Sequence, residues 1–324
     1  MKKILITGAG GFIGSHLTEL CVRKGFQVKA FVRYNANNRW GWLDASPALK
    51  KIDVVTGDIR DFDSVSKAMK GCDTVFHLAA LVGIPYSYVS PLAYIKTNIE
   101  GTYNVLEAAK DLGIKNVLVT STSETYGTAQ YVPIDEKHPS VGQSPYAATK
   151  IAADQLALSY WRSFGLPVKV VRPFNTYGPR QSARAVVPTI ITQVLSGQRQ
   201  IKLGNTSPTR DLTCVFDTVE GFLQIAGCSR AVGQAVNIGM NTETSVGELA
   251  RMIAAMAKVK IRIIEDRQRL RGHSTEVERL RCNNAKLLGL TGWKPRYTLE
   301  AGLKETMDWI GRNLGMYKTG LYNV

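Results

Sequence analysis

The fold is decided by residues 3–14, which read KILITGAGGFIG. The short apolar run 3–7 predicts a buried β-strand, and the apolar spacing that follows the glycines predicts a helix. Three glycines between them let the chain turn tightly and let a pyrophosphate approach the N–H groups of a helix N-terminus. These are Gly8, Gly11 and Gly14. Strand, turn and helix in this order predict a dinucleotide site; a glycine-rich turn without a ligand is the alternative.

Strands and helices alternate along the first half of the chain. Apolar runs predict further strands, and periodic apolar patterns predict helices. The strands are 28–32, 52–56, 74–78, 116–120 and 168–172, and the helices are 64–69, 95–112 and 145–164. This alternation predicts an α/β fold with a Rossmann-type doubly wound parallel sheet.

The alternation weakens after Pro173, where loops rich in Gly, Pro, Arg and Gln separate shorter elements such as 187–196 and 246–257. We therefore expect a dinucleotide-binding Rossmann domain over residues 1–173. Residues 174–324 are expected to form mainly a smaller C-terminal α/β substrate domain, with some segments returning to the Rossmann domain.

The composition narrows the class of protein. The 324 residues are 44% hydrophobic, which excludes wholesale disorder. The formal net charge is +15, and the densest basic stretch is residues 251–271. Such a stretch is typical of a nucleic-acid site, a solvated surface or a pocket for an anionic small molecule; we favour the last two and expect no nucleic-acid partner.

Neither a membrane nor a metal partner is expected. The longest uncharged run, 74–95, is broken by two prolines before it could span a bilayer, and glycines interrupt the apolar start of the chain. The five cysteines are scattered without CxxC spacing, which favours a reducing, cytoplasmic compartment and disfavours a zinc site.

The second predicted strand lacks the Asp or Glu that would hold the ribose hydroxyls of NAD. It ends in Arg33, whose guanidinium could face a 2′-phosphate. NADP is therefore favoured over NAD, and an Arg33 that stacks on adenine or faces solvent is the alternative. Asp58 and Ile59 follow the third strand, where Asp58 is placed either to meet the adenine edge or to serve only as a turn residue.

Tyr146 and Lys150 are four residues apart in a predicted helix, so the phenol and the ammonium share one helix face. A tyrosine is a poor base at neutral pH, and a nearby cation stabilises its phenolate. Thr122 lies upstream at the carboxyl end of a predicted strand, where open α/β sheets place ligands. An ordinary surface pair is the alternative, which the glycine motif and the strand-end threonine disfavour.

Across nearly its whole length, the chain resembles the extended short-chain dehydrogenase/reductases that act on nucleotide-diphosphate sugars. The matching segments are TGAGGFIGSH (7–16), GDIRD (57–61), HLAA (77–80), NIEGT (98–102), SPYAATK (144–150), RPFNTYGPR (172–180), RDLT (210–213) and GWKP (292–295). The resemblance implies a tightly bound NAD(P), regenerated in each turnover, and a nucleotide-diphosphate sugar as substrate. It also implies a homodimer formed through a four-helix bundle of helices 95–112 and 146–163.

Within this family, residues 121–127, STSETYG, favour a 4,6-dehydratase. A 4-epimerase only removes and returns a hydride at C4, whereas a dehydratase must also remove the C5 proton, for which Glu124 supplies a carboxylate. A glutamate that caps the next helix or pairs with a base is the alternative. Ser123 stands where glucose-type dehydratases have aspartate and is similar to the GDP-mannose dehydratase pattern. Since serine is a poor acid, Glu124 would take the C5 proton and then deliver it.

A narrower resemblance concerns residues 31–35, 84–88 and 181–188, which are similar to dehydratases of the legionaminic acid pathway. It implies GDP- or UDP-N-acetylglucosamine as the substrate. The implied product is the 4-keto-6-deoxy sugar, formed by transient C4 oxidation, C5 deprotonation, water loss and hydride return to C6. A 4-epimerase on the same scaffold is the alternative function.

The resemblance also implies roles for individual residues. Catalytic roles fall to Thr122, Ser123, Glu124, Tyr146 and Lys150. Cofactor contacts are expected from Gly8, Gly11, Phe12, Ile13, Gly14, Arg33, Asp58, Ile59, Leu78, Ala79, Ala80, Asn98, Tyr146 and Lys150. Substrate contacts are expected from Tyr86, Ser87, Thr122, Asn175, Arg180, Arg210 and Arg271.

Overall fold

A seven-stranded parallel sheet forms the centre of the computed structural model, which describes residues 1–270, 276–319 and 321. The strands are β1 (Lys3–Thr7), β2 (Gln27–Arg33), β3 (Ile52–Gly57), β4 (Thr74–His77), β5 (Asn116–Thr120), β6 (Val168–Pro173), β7 (Asn175–Tyr177), β8 (Gln200–Leu203), β9 (Thr209–Arg210), β10 (Leu212–Cys214), β11 (Ala235–Ile238), β12 (Thr244–Ser245), β13 (Arg262–Glu265) and β14 (Arg279–Leu280). The order in the central sheet is β11-β6-β5-β4-β1-β2-β3. The predicted fold class is confirmed, because this is a doubly wound Rossmann-type sheet.

Helices cover both faces of the sheet. They are α1 (Phe12–Arg23), α2 (Phe62–Met69), α3 (Ile84–Val89), α4 (Pro91–Tyr94), α5 (Gly101–Asp111), α6 (Pro145–Phe164), α7 (Val186–Leu195), α8 (Val215–Gly227), α9 (Val246–Met256), α10 (Ala285–Thr291) and α11 (Leu299–Arg312). One face packs against α1, α8 and α10, and the other packs against α2, α5 and α6. No helix in the described part of the chain is long and apolar enough to cross a membrane.

The second half of the chain contributes to several apolar clusters. Residues of α8, β11 and α10 pack with α1 against the central sheet. A further apolar cluster joins α7, α9 and α11 with β8 and β10. The boundary at residue 173 stays a prediction, and the structure places β11 beside β6 in the central sheet.

The helix predicted at 95–112 is longer and less regular in the structure. Pro91 occupies the first turn of α4, and a π-helical segment, Ile95–Glu100, joins α4 to α5. Asn98 lies in this wider turn, and its side chain bonds both the N–H and the carbonyl of Leu81. The π turn therefore attaches the helix to the loop that follows β4.

Close packing joins α11 to β7. The Tyr177 hydroxyl donates a hydrogen bond to the Leu299 carbonyl at 3.1 Å. A Cβ added at Gly302, within α11, would lie only 2.2 Å from that hydroxyl oxygen. A glycine is therefore required here so that the helix can approach the buried tyrosine.

Replacing Gly302 by alanine should lower the free energy of unfolding by about 1–3 kcal/mol, because Tyr177 must move. Gly289 in α10 is a matched control, since a Cβ there would meet no atom within 4 Å. G289A should be neutral or stabilising by up to about 1 kcal/mol, through helix propensity alone. Urea unfolding of both variants checks this, and equal effects at the two glycines would contradict the packing argument.

Candidate active site

A cleft of about 920 Å³ runs along the carboxyl ends of the strands of the central sheet. Its walls include the residues that follow β1, β3, β4, β5 and β6. The predicted residues that line it are Gly8, Gly11, Phe12, Ile13, Gly14, Arg33, Asp58, Ile59, Leu78, Ala79, Ala80, Tyr86, Thr122, Ser123, Glu124, Tyr146, Lys150 and Asn175. The strand order reverses at this edge, between β1 and β4, which is where sheets of this type bind ligands.

The glycines at the start of α1 have no room for a side chain. Gly8 has φ +69°, and a Cβ there would lie 2.8 Å from the backbone nitrogen of Ala79. A Cβ at Gly14 would lie 2.1 Å from the Gly8 carbonyl oxygen, and one at Gly10 would lie 2.4 Å from that of Trp40. The turn thus leaves an open cradle at the N-terminus of α1, where Gly11 provides no side-chain cap. Exposed N–H groups at such a position favour a phosphate.

Arginines surround the end of the cleft beside β2 and β3. Arg33 is exposed and lines the wall. The Asp58 carboxylate accepts hydrogen bonds from Nε and Nη2 of Arg60, the shortest at 2.5 Å. The hydrogen bond from Arg60 is the main reason why the pKa of Asp58 lies below its usual value. Asp58 therefore lies at the predicted place, but its carboxylate is already neutralised by a neighbouring cation.

Buried polar atoms in the wall of the cleft lack partners within the described part of the chain. They are Trp40 Nε1, Thr120 Oγ1, Asn175 Oδ1 and Gln181 Oε1. Leaving a buried donor or acceptor unpaired costs about 1–3 kcal/mol. A polar ligand with both donors and acceptors, such as a dinucleotide with a sugar beside it, would satisfy such groups.

A series of hydrogen bonds holds in place the loop that follows β4, which forms one wall of the cleft. The Ala79 N–H donates to Thr7 Oγ1, whose hydroxyl lies 2.8 Å from His77 Nδ1. On the other side of the ring, Nε2 lies 3.1 Å from the Thr102 hydroxyl, which donates to the Asn98 carbonyl. Burial, and then the charge of Lys150, lower the pKa of His77 to about 3, so the ring is neutral. Both ring nitrogens of His77 therefore form hydrogen bonds, with the proton on Nε2.

Asn98 was predicted to contact the cofactor, but its side chain lies behind the wall. Besides the two bonds to Leu81, its amide donates to the Thr149 hydroxyl at 3.1 Å. Thr149 in turn donates to the Tyr146 carbonyl in α6. Asn98 is therefore a positioning residue that connects the loop after β4 to the helix carrying Tyr146.

The start of α6 places Tyr146 at the floor of the cleft. The Ser144 hydroxyl caps the helix by accepting from the Ala147 N–H, and Pro145 occupies the first turn. The Thr122 side chain lies close enough to the Tyr146 hydroxyl to affect its ionisation. Burial raises the pKa of Tyr146; the Thr122 side chain opposes this effect and the charge of Glu124 adds to it.

Lys150 lies one helical turn further on and is also buried. Its ammonium donates to the Thr120 carbonyl at 2.5 Å, at the end of β5. Burial lowers the pKa of Lys150 to about 8, although the charge of Asp154 opposes the shift.

The predicted stabilisation of a Tyr146 phenolate by Lys150 stays a prediction. In this structure Lys150 donates to the Thr120 carbonyl, and the pKa of the phenol is raised. Desolvation disfavours the phenolate more than the surroundings stabilise it. The tyrosine of the free protein is therefore a neutral phenol.

Thr122, Ser123 and Glu124 follow one another at the end of β5. The Thr122 hydroxyl accepts from the Glu124 N–H at 3.3 Å, which starts the short 3₁₀ helix Ser123–Tyr126. Ser123 is buried, and both Ser123 and Glu124 line the cleft. A carboxylate thus lies at the floor of the cleft, close enough to Tyr146 to raise its pKa.

Three predicted substrate residues do not line the cleft, taking only the described residues. Ser87 is fully buried and donates to the Ile84 carbonyl within α3, whereas its neighbour Tyr86 faces the cleft. Arg180 pairs with Glu19 at 2.9 Å and bonds Ser15, so its guanidinium faces α1. Arg210 lies in β9, where its guanidinium approaches Glu276 at 3.3 Å. The fourth, Arg271, lies outside the described residues.

The structure also adds residues that the sequence did not point to. Trp40 lines the cleft from a loop that carries no motif, and Gln181, which had no predicted role, lines it from the start of the segment 181–188. Asp154, which lies one helical turn beyond Lys150 in α6, forms a buried ion pair with Arg172. The i, i+4 spacing of Lys150 and Asp154 is a signal that could have pointed to Asp154.

Comparison with known proteins agrees with this geometry. The family model described as GDP-mannose 4,6 dehydratase matches residues 5–306. A dTDP-glucose 4,6-dehydratase of Streptomyces antibioticus is 32% identical over 96% of this chain and 92% of its own length. A trifunctional UDP-glucose 4,6-dehydratase, epimerase and reductase of Arabidopsis thaliana is also 32% identical, and the match spans only 47% of that longer protein.

Solved structures show the same fold. The dTDP-glucose 4,6-dehydratase of Streptomyces venezuelae, solved with NAD bound, matches with a TM-score of 0.87 and 28% identity, covering 98% of this chain and 99% of that one. The UDP-glucuronic acid 4-epimerase of Bacillus cereus, in complex with UDP-glucuronic acid and NAD, matches with a TM-score of 0.87 and 26% identity over 96% and 99% of the two chains. The chain is thus a member of the GDP-mannose 4,6 dehydratase family of nucleotide-sugar enzymes.

Proposed function

We propose that the protein is an NAD(P)-dependent nucleotide-diphosphate-sugar 4,6-dehydratase. The observation that carries the proposal is the carboxylate of Glu124 in the same cleft as Thr122, Tyr146 and Lys150. The favoured substrate is GDP- or UDP-N-acetylglucosamine, following the resemblance in residues 31–35, 84–88 and 181–188. The product would be the 4-keto-6-deoxy sugar.

The cradle at α1 fits a dinucleotide. Gly8, Gly11 and Gly14 would hold the pyrophosphate, Arg33, Asp58 and Ile59 would surround the adenosine, and Leu78–Ala80 would form the wall beside the nicotinamide. When bound, the dinucleotide supplies reversible hydride storage, so it leaves each turnover in the form in which it entered.

Tyr146 is the residue that removes the proton of the C4 hydroxyl in this proposal. Because its phenol is buried, it loses its own proton only with help from a nearby positive charge. Lys150 supplies that charge from the same face of α6. The Thr122 side chain also lowers the pKa of the phenol.

Glu124 performs the step that distinguishes a dehydratase from an epimerase. A keto group at C4 acidifies the C5 hydrogen, and the Glu124 carboxylate accepts that proton. Water then leaves from C6, with the proton delivered by the same carboxyl group. Ser123 is buried beside it and has no acidic proton to give, so one carboxyl group has to act twice.

A homodimer and a cytoplasmic location complete the proposal. The outward side of residues 92–103 carries exposed apolar side chains, and so does the end of α6. Leu92, Ile95, Tyr103 and Phe164 are each at least 45% exposed. A four-helix bundle between two subunits would cover this face. The five cysteines are all free thiols, which fits a reducing compartment.

Replacing Glu124 by glutamine should abolish water elimination, with product formation falling about 10²–10⁴-fold, because the amide cannot accept the C5 proton. Product masses are measured by mass spectrometry with the nucleotide sugar that the wild-type protein dehydrates. Glu305, an exposed glutamate in α11 away from the cleft, is the control, and E305Q should react at the wild-type rate. Elimination by E124Q at the wild-type rate would remove the role given to Glu124.

Replacing Arg33 by alanine should weaken NADP binding about tenfold or more and leave NAD binding unchanged, because only the 2′-phosphate would meet the guanidinium. Isothermal titration with both dinucleotides after removal of any bound cofactor measures this. Arg39 is the control, since its guanidinium is already paired with Asp44 at 2.7 Å, so R39A should have a smaller effect. Equal loss of both affinities in R33A would contradict a 2′-phosphate site.

A further inference from the structure

A buried ion pair involves Asp154, which lies one helical turn beyond Lys150 in α6. The Asp154 carboxylate oxygen Oδ2 accepts hydrogen bonds from Arg172 Nε at 3.0 Å and from Ser121 Oγ at 2.8 Å, and Arg172 Nη2 lies 2.9 Å away. Asp154 is only 1% exposed, while Lys150 and Arg172 are each 5% exposed. Three ionisable groups therefore share one region from which water is excluded.

The backbone places these groups in a fixed order. Tyr146, Lys150 and Asp154 follow one another at intervals of four residues, which puts them on one face of α6. The end of β5 contacts two of them, since the Thr120 carbonyl accepts from Lys150 and the Ser121 hydroxyl donates to Asp154. The pair is thus attached to the same strand end that carries Thr122.

Arg172 is held in place independently of Asp154. Its Nη1 donates to the Tyr126 hydroxyl at 3.0 Å, and its guanidinium lies 5.0 Å from the centre of the Tyr126 ring. The Tyr126 hydroxyl donates to Asn237 Oδ1 in β11. One carboxylate and one guanidinium are therefore fixed rigidly next to the lysine.

Titratable groups lie on α6 itself and on the elements around it. Asp154 and the neutral Tyr146 are on α6, Arg172 is on β6, Glu124 is on the 3₁₀ helix, and His77 is on β4. His77 is neutral because burial and the lysine charge lower its pKa to about 3. Asp154 has one further carboxylate oxygen, Oδ1, which is buried without a partner among the described residues. Asp154 is the carboxyl group closest in sequence to Lys150 on the same helix face. Burial raises the pKa of Asp154, and the charge of Arg172 opposes that shift.

We propose that Asp154 is a positioning residue that keeps Lys150 protonated at the floor of the cleft, and that Arg172 sets the strength of this effect. Burying an ammonium without a compensating anion is costly, and the carboxylate supplies that anion. The positive charge of Arg172 offsets part of the negative charge of this carboxylate. The carboxylate therefore stabilises the Lys150 ammonium less than it would without Arg172. The catalytic consequence for Tyr146 rests on the proposed function, whereas the ionisation of Lys150 does not.

The two partners should act in opposite directions. Replacing Asp154 by asparagine leaves two buried cations side by side, which favours loss of the Lys150 proton. Replacing Arg172 by glutamine frees the carboxylate for the lysine, which favours retention of that proton. A general loosening of the structure would not produce shifts of opposite sign.

The test is an NMR titration of the holoenzyme labelled with ¹³Cε-lysine, with the Lys150 signal assigned by its loss in K150R. The midpoint should fall by about one pH unit or more in D154N and rise by a similar amount in R172Q. The double variant D154N/R172Q should return towards the wild-type midpoint. Y126F is the matched control, because it removes a hydrogen bond to Arg172 without changing a charge, and its midpoint should stay at the wild-type value.

Shifts of the same sign in D154N and R172Q, or no shift in either, would overturn the proposal. If D154N does not fold, R172Q alone tests the proposal. An unchanged or lowered Lys150 titration midpoint in R172Q would then overturn the proposal. In the dehydratase assay, the loss of kcat at alkaline pH should move to lower pH in D154N and to higher pH in R172Q. A protein without dehydratase activity that still shows the opposite NMR shifts would refute the proposed function and leave the role of Asp154 intact.

Discussion

The absence of space for a side chain at Gly8 and Gly14, on either side of the turn between β1 and α1, is the constraint on which the site depends. Gly8 approaches the backbone of Ala79, and Gly14 approaches the carbonyl of Gly8, at distances that no Cβ could occupy. These contacts bring the end of β1, the start of α1 and the loop after β4 together. The cleft exists because these backbones meet without side chains between them, and the helix N–H groups remain accessible at its base.

A second constraint is electrostatic and follows from the depth of the site. Burial favours the neutral forms of Tyr146 and Lys150, since it raises the pKa of Tyr146 and lowers that of Lys150. Asp154 opposes this effect at Lys150, and Arg172 in turn compensates Asp154. The neutral His77 ring makes hydrogen bonds without adding a charge, and in this way it holds the wall of the cleft in place. The charge at the floor of the cleft depends instead on Lys150, Asp154 and Arg172.

The sequence predicted what is local and periodic. The strands up to β6 and the helix α6 lie within a residue or two of their predicted bounds, because apolar runs and a Ser-Pro start are local signals. Glycine spacing and the Tyr146–Lys150 interval likewise predicted residues that line the cleft. The place of β11 in the sheet depends on pairing with a strand that ends about 60 residues earlier, for which a sequence pattern gives no register.

Side-chain partners were harder to predict than positions. Arg180 and Arg210 occur in matching motifs, yet each approaches a glutamate from a distant part of the chain. Asp58 is at the expected place, but a neighbouring arginine occupies its carboxylate. Trp40 reaches the cleft because its loop packs on Gly10, a contact between residues 30 positions apart. Such pairings are decided by tertiary packing, whereas motif spacing fixes only which backbone positions face the cleft.

The central claim is that one carboxylate beside the Tyr146–Lys150 pair makes this cleft a dehydratase site. Its most direct test is mass spectrometry of nucleotide sugars incubated with the purified protein, with no cofactor added. The panel contains GDP- and UDP-N-acetylglucosamine, GDP-mannose and dTDP-glucose. Loss of one water from a panel member is the predicted result, and it would also reveal a resident cofactor. Isomerisation of a sugar without any loss of water would contradict the claim and identify the protein as an epimerase.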